Sequence, residues 1–359
     1  MILKHDGSAW AAGSNAFGQL GIDVMIISMT ANFLKVFVDG AKAVAAGGGH
    51  SMVLKQDGSV WSTGMNNNGQ LGDGSNTDKD NFVQVIPSGV KAITAGAEHS
   101  LVAMRDGSVW ATGFNLYGQL GDGASTDRNR FSQVVTGGAE AVAAGSRHSM
   151  VLKQDGSVWA TGENRFGQLG AGSAKFKRTF ARVIAGGVKA IAIGSSHSMV
   201  VKQDGSVWVT GENEFGQLGD GSTRLKKTFK QVMSSGAEAI AAGYKHSMVL
   251  KQDGSVWVTG RNNFGQLGNG PMTFRSTFMQ VISIGVHNVA AGGWHSMVLK
   301  QDGSLWVTGA NSQGQLGDRT TIAKLAYVKV LLSRDGVWCT CCVYPDLVVF
   351  AFDRLNLRV

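Results

Sequence analysis

The sequence predicts an all-β protein, a seven-bladed β-propeller of four-stranded blades. Three observations carry that prediction. The string G-Q-L-G recurs seven times, starting at Gly18, Gly69, Gly118, Gly167, Gly216, Gly265 and Gly314, with a first interval of 51 residues and all later ones of 49. Each unit holds four short apolar stretches separated by turn residues. A fixed period of this length built from short strands is the pattern of a propeller. Third, 51 of the 359 residues are glycine and only 3 are proline, where average usage of ~7% would give about 25 glycines. Collagen is excluded because there is no G-X-Y period. Disorder is excluded because 43% of the residues are hydrophobic and 16% charged.

One unit justifies its elements in order. Val188–Ala192 is a first strand, closed by glycine. Ser198–Gln203 is a second, ended by Asp204-Gly205. The D-G-S turn joins it to a third strand, Val207–Thr210, and Asp-Gly accommodates the tight hairpin geometry. After G-Q-L-G and a variable loop, Thr228–Met233 is the fourth strand. A solenoid would need distinct capping repeats, whereas the end units here are truncated copies. His-Ser pairs begin at His50, His99, His148, His197, His246 and His295, and a tryptophan follows each D-G-S turn, from Trp10 to Trp306.

The repeats assign residues 1–331 to the propeller and 332–359 to an irregular tail. Met1–Lys4 aligns with Met52–Lys55, so unit one starts just after the G-x-x-H-S of its own frame. Leu331–Trp338 is a shortened echo of the hairpin, and Val343–Phe352 is expected to complete blade one in part. The alternative is an open edge, which would invite association. Unit one also has an apolar loop, Ile22–Met29, where other units are polar. It is expected either to pack against the tail or to be an exposed docking patch.

On the strings G-x-x-H-S, D-G-S-V-W and T-G-x-N-x-x-G-Q-L-G at this spacing, the chain resembles the regulator of chromosome condensation repeat family. The resemblance implies a closed seven-bladed ring. It also offers guanine-nucleotide exchange on a Ran-like small GTPase, the activity of the founding member. Such repeats usually carry a proline before the last strand, where this chain has Phe131, Phe180, Phe229 and Phe278. Aromatic packing between blades is expected to replace it.

Repetition argues against chemistry at the repeated residues. A catalytic group works in one tuned environment, and the His-Ser pair has six equivalent places. Each histidine is therefore read as fixing a turn through backbone groups, and each tryptophan as blade packing. Histidines on different blades stand too far apart to share an ion at ~2 Å. Cys339, Cys341 and Cys342 have no partner set for zinc, and no P-loop is present. The sequence thus assigns no catalytic residue, no metal and no cofactor.

Specificity is expected where the units differ. Two slots vary, the pair before each histidine and the positions flanking the repeated asparagine. Strand alternation puts both on one face. They supply a candidate partner surface: Glu98, Phe114, Leu116, Tyr117, Arg147, Glu163, Arg165, Glu212, Glu214, Tyr244, Lys245, Arg261 and Trp294. Aromatics and arginine are the types enriched in interface hot spots. A second candidate is a basic patch on units four and five: Lys175, Lys177, Arg178, Arg182, Arg224, Lys226, Lys227 and Lys230. With a net charge of +8, that patch suits an acidic partner or nucleic acid. The reading is a monomeric, non-enzymatic module that binds a protein, with nucleotide exchange on a small GTPase and chromatin or nucleic-acid attachment as alternatives. No apolar run suits a membrane. An intracellular location, cytoplasmic or nuclear, follows from the missing disulfide framework and secretory signal.

Overall fold

Each unit folds as four antiparallel strands, the inner three buried almost throughout and the outer one only partly, and seven such sheets form the ring. The computed structural model describes residues 1–331 and 337–338. No helix occurs among the described residues. In blade four the order is β1 (Ala139–Ala144), β2 (His148–Lys153), β3 (Val158–Glu163) and β4 (Phe176–Ile184). Blade five repeats it with Val188–Ile193, His197–Lys202, Val207–Gly211 and Lys226–Met233. The expected strands are all present: the first, third and fourth are longer by a residue or two at one end, and the second, expected at Ser198–Gln203, lies one residue earlier at His197–Lys202.

Blades meet through the repeated motifs. The G-Q-L-G turn of one blade offers its carbonyls to the next. Thr161 Oγ1 donates to Gly118 O at 2.8 Å, and Ser149 Oγ donates to Gln119 O at 2.7 Å. The motif's last glycine receives the aromatic ring of the next outer strand. A Cβ on Gly121 would lie 2.5 Å from Phe180 Cδ2 and Cε2. Phe131, Phe229 and Phe278 sit likewise on Gly72, Gly170 and Gly219. The rings at the proline position therefore pack blade on blade.

The histidines do something other than fix backbone turns. His148 is fully buried, and its Nε2 lies 3.0 Å from Ser198 Oγ of the next blade. Ser198 Oγ gives its only hydrogen to Gln168 O at 2.7 Å, so His148 Nε2–H must be the donor. Its Nδ1 is buried without a partner. Burial, helped in some by a neighbouring histidine and at His295 by the N-terminal ammonium, pushes these imidazoles down to about 3 or 4, so all six are neutral. Five of them make the bond to the next blade. At the seam between blades seven and one, His295 Nε2 has no partner among the described residues.

Ring closure at that seam uses other groups. Phe33 of blade one packs on Gly317. Val337–Trp338 pairs antiparallel with Ile2–Lys4, through Leu3↔Trp338 and Lys4↔Val337, and makes the fourth strand of blade one. The segment expected there, 343–352, lies outside the described residues. In the apolar loop of unit one, Ile22 packs on the core, while Met25 is 90% and Ile26 73% exposed.

The tryptophans are only half-buried. Trp159 Nε1 donates to Ser157 Oγ at 3.1 Å, and the Lys153 ammonium lies 4.7 Å from its ring centroid. Each nonetheless packs against the core, as expected: Trp208 of blade five lies on the aliphatic cluster that blades four and five share, and Trp159 of blade four on the one shared by blades three and four.

Candidate functional site

Both variable slots open on one face of the ring. In blades two to seven a backbone bond ties them together: Glu163 N donates to Arg147 O, and Arg261 N donates to Lys245 O, each at 2.8 Å. The pair before a histidine and the residue that starts the next loop are therefore neighbours, although 16 positions apart. In blades three to six these slots line a depression of about 470 Å³. Glu98, Arg147, Glu163, Arg165, Glu212, Tyr244 and Lys245 all border it.

Charge alternates along this rim. The Glu163 side chain is 6% exposed, with Arg165 Nε at 3.4 Å and Arg147 Nη1 at 4.0 Å. Burial pushes the Glu163 carboxyl up, and the two guanidiniums pull against it. Lys245 Nζ holds Glu212 at 3.2 Å and Glu214 at 3.3 Å. Glu98 accepts a bond from Asn68.

Aromatic rings lie among these charges. Phe114 and Tyr117 meet edge to face at 6.2 Å between centroids, and Arg147 lies 4.8 Å from the Tyr117 ring. Leu116 beside them is 58% exposed. Tyr244 and Trp294 are 4.6 Å apart, and Phe264 is 5.7 Å from Trp294. Arg261 lies 4.6 Å from the Trp294 centroid and 4.8 Å from Phe215. Phe166, Phe215 and Phe264 were not singled out by sequence. They occupy the position of Tyr117, three residues after the first variable slot, and an aromatic that recurs reads as scaffold.

The eight basic residues of units four and five lie elsewhere, on or beside the outer strands. They are not equivalent. Lys226 and Lys230 both pair with the buried carboxylate of Asp220, at 3.0 and 3.1 Å. Burial opposes ionisation of Asp220, but bonds from Lys226, Ser222 and Lys230 hold it well below the usual range. In unit four Ala171 stands where Asp220 stands in unit five, and among the described residues Lys177 makes no such ion pair. Arg178 lies over the Phe176 ring at 5.0 Å. Lys175 and Arg224 lend their backbone carbonyls to Asn164 and Asn213. Lys227 O accepts from Gly172 N of the preceding blade, and Arg182 faces Trp159 across the strand pair. Such cations also discourage edge-to-edge pairing of outer strands.

Among the described residues no group of three or more His, Cys, Asp or Glu could hold a metal ion. No described helix is long and apolar enough to cross a membrane.

Known proteins agree with this architecture. The human "probable E3 ubiquitin-protein ligase HERC3" is 39% identical over 74 residues. A bovine "secretion-regulating guanine nucleotide exchange factor" is 41% identical over 69 residues. These matches cover 20% and 18% of this chain, and only 7% and 14% of the relatives' own lengths. Among solved structures, human WBSCR16 superposes with a TM-score of 0.81 at 22% identity, covering 90% of this chain and 94% of that one. Prp20p of Saccharomyces cerevisiae, described with its binding to Gsp1p and histones, gives 0.81 at 21% identity over 93% and 88%. At such identities the likeness shows the fold. The model of the RCC1-like domain matches residues 8–342, and the chain belongs to that family.

Proposed function

We propose that the protein is a non-enzymatic binding module that presents the variable face of its propeller to a protein partner. The observation that carries this is convergence: variable positions of blades three to six, among them Glu98, Arg147, Glu163, Glu212, Tyr244 and Lys245, meet around one 470 Å³ depression, while Phe114, Leu116, Tyr117, Glu214, Arg261 and Trp294 lie outside its lining. Partly exposed aromatics there lie beside arginine and paired charges, the composition of interface hot spots. The names of family relatives, an exchange factor and a structure described with Gsp1p and histones, are consistent with protein partners. An intracellular site of action fits the same relatives.

A direct test is capture from lysate by the wild-type chain and by Tyr244→Ala/Trp294→Ala. A control on the opposite face is Asp155→Ala/Lys189→Ala. Partners should be lost with the aromatic pair and kept with the control. An unchanged partner set in the aromatic variant would undo the choice of face.

Nucleotide exchange on a small GTPase is a second reading, favoured by the named relatives. It is read by release of labelled GDP from Ran with and without the protein, and acceleration would move the protein into that class. Nucleic-acid attachment has weaker support, because Asp220 already neutralises part of the basic patch.

A further inference from the structure

On the variable face the cations differ in one respect. Arg147 and Arg165 share Glu163, and Lys245 holds Glu212 and Glu214. Arg261 has no carboxylate within ion-pair distance among the described residues. Its guanidinium is nonetheless fixed, with Phe215 at 4.8 Å and Trp294 at 4.6 Å. These rings come from the blades on either side, since Phe215 belongs to blade five, Arg261 to blade six and Trp294 to blade seven. A guanidinium stacked on aromatic rings gives up hydration at its faces. Its Nε is also buried without a hydrogen-bond partner. What such a group still offers is the in-plane edge of its terminal amino groups. That edge matches a carboxylate in a two-bond fork.

We propose that Arg261, stacked between Phe215 and Trp294, is a preformed receptor for a carboxylate side chain on an acidic segment of the protein partner. The proposal rests on the reading of this face as the partner surface, and it supplies the partner's chemistry. The stacking holds the cation in place before binding, so little side-chain freedom is lost when the anion arrives. Glu212 and Glu214 lie on Lys245, the residue whose backbone carbonyl binds Arg261 N. Their charges disfavour a dianionic phosphate beside Arg261 more than a single carboxylate. The Tyr244 and Phe264 rings against Trp294 would take an apolar side chain next to the acid.

The test uses the full chain with arginine-selective 15N labelling. The Arg261 Nε–H signal is identified by its loss in Arg261→Gln. Two capped peptides are titrated, Ac-Ala-Leu-Glu-Leu-Ala-amide and its Glu→Gln counterpart, with inorganic phosphate as a third probe. The acidic peptide should shift the Arg261 signal saturably. Its affinity should fall at least tenfold in Arg261→Gln and in the Gln peptide. Arg261→Lys should recover little, because an ammonium keeps the charge but loses the fork. Phosphate should compete poorly. Equal affinity for the Glu and Gln peptides, equal binding by wild type and Arg261→Gln, or no binding of the acidic peptide would overturn the site. Effective competition by phosphate would overturn the choice of carboxylate. Unchanged melting of Arg261→Gln separates a lost site from a lost fold. If the lysate partner is lost with Tyr244→Ala/Trp294→Ala but kept with Arg261→Gln, the face stands and the carboxylate receptor fails.

Discussion

Lowering the pH from 7 toward 5 is expected to unfold the ring cooperatively, well before the carboxylates titrate. The cause is the set of six buried histidines. Each has an ordinary value of 6.5, and each is pushed down in the folded state, His50 to about 4 and the other five to about 3. Below pH 6.5 the unfolded chain therefore takes up protons that the folded chain refuses. Stability is fully present above pH 6.5 and falls as the pH drops toward the folded values. One unit below 6.5, each site costs about 1.4 kcal/mol, and six cost roughly 8 kcal/mol. A domain stable by about 8–12 kcal/mol, the middle of the usual range of about 5–15, would reach its midpoint between about pH 5 and 5.5. The check is tryptophan fluorescence or circular dichroism against pH, together with the melting temperature at each pH. Its slope should correspond to uptake of roughly five to six protons on unfolding near pH 5. A melting temperature that stays level from pH 7 to 5 would show that the histidines are not buried neutral.

The same histidines predict a local contrast. His148→Phe removes the donor to Ser198 Oγ and should cost about 1 kcal/mol. His295→Phe removes no bond from Nε2 to a serine, since that atom has no partner among the described residues. It should cost measurably less in urea unfolding. Equal losses would mean that the bond between blades contributes nothing.

Much of the fold was legible because the chain states its unit seven times. A strand that would be ambiguous in one segment becomes firm when Val188–Ile193 and Ala237–Ala242 repeat it. The location of the variable face was legible for the same reason, as the complement of what repeats. The histidine's role was not. Its partner serine lies 50 residues away in the next unit, so the motif looks self-contained until two blades are set side by side. Phe215 was hidden by the opposite effect. It recurs at the same place in successive units, so repetition alone gives it no separate role, yet its neighbour Arg261 is unique to one blade and, in the proposed receptor, makes that ring part of the site. Blade one was the least legible, because the strand completing it comes from Val337–Trp338, where the pattern has already decayed.

Gly121→Ala is expected to be among the most damaging single-methyl changes in the chain, at about 2–5 kcal/mol. Two costs add at this position. Gly121 has φ +80, a left-handed conformation that costs an L residue roughly 1–2 kcal/mol. The new Cβ would also lie 2.5 Å from the Phe180 ring, with Thr161 Cγ2 at 3.2 Å behind it. Overpacking of this kind costs about 1–3 kcal/mol. Gly187→Ala isolates the first cost, because Gly187 has φ +77 but nothing within 4 Å of a new Cβ. Its loss should stay near 1–2 kcal/mol in urea unfolding. The difference between the two variants then measures the contact between the blades. Phe180→Leu should lower the cost of Gly121→Ala, so that the double variant loses less than the sum of the singles by about 1 kcal/mol. Strict additivity would show that the ring moves aside without cost, and the aromatic packing at the family's proline position would then not explain why this glycine recurs in all seven units.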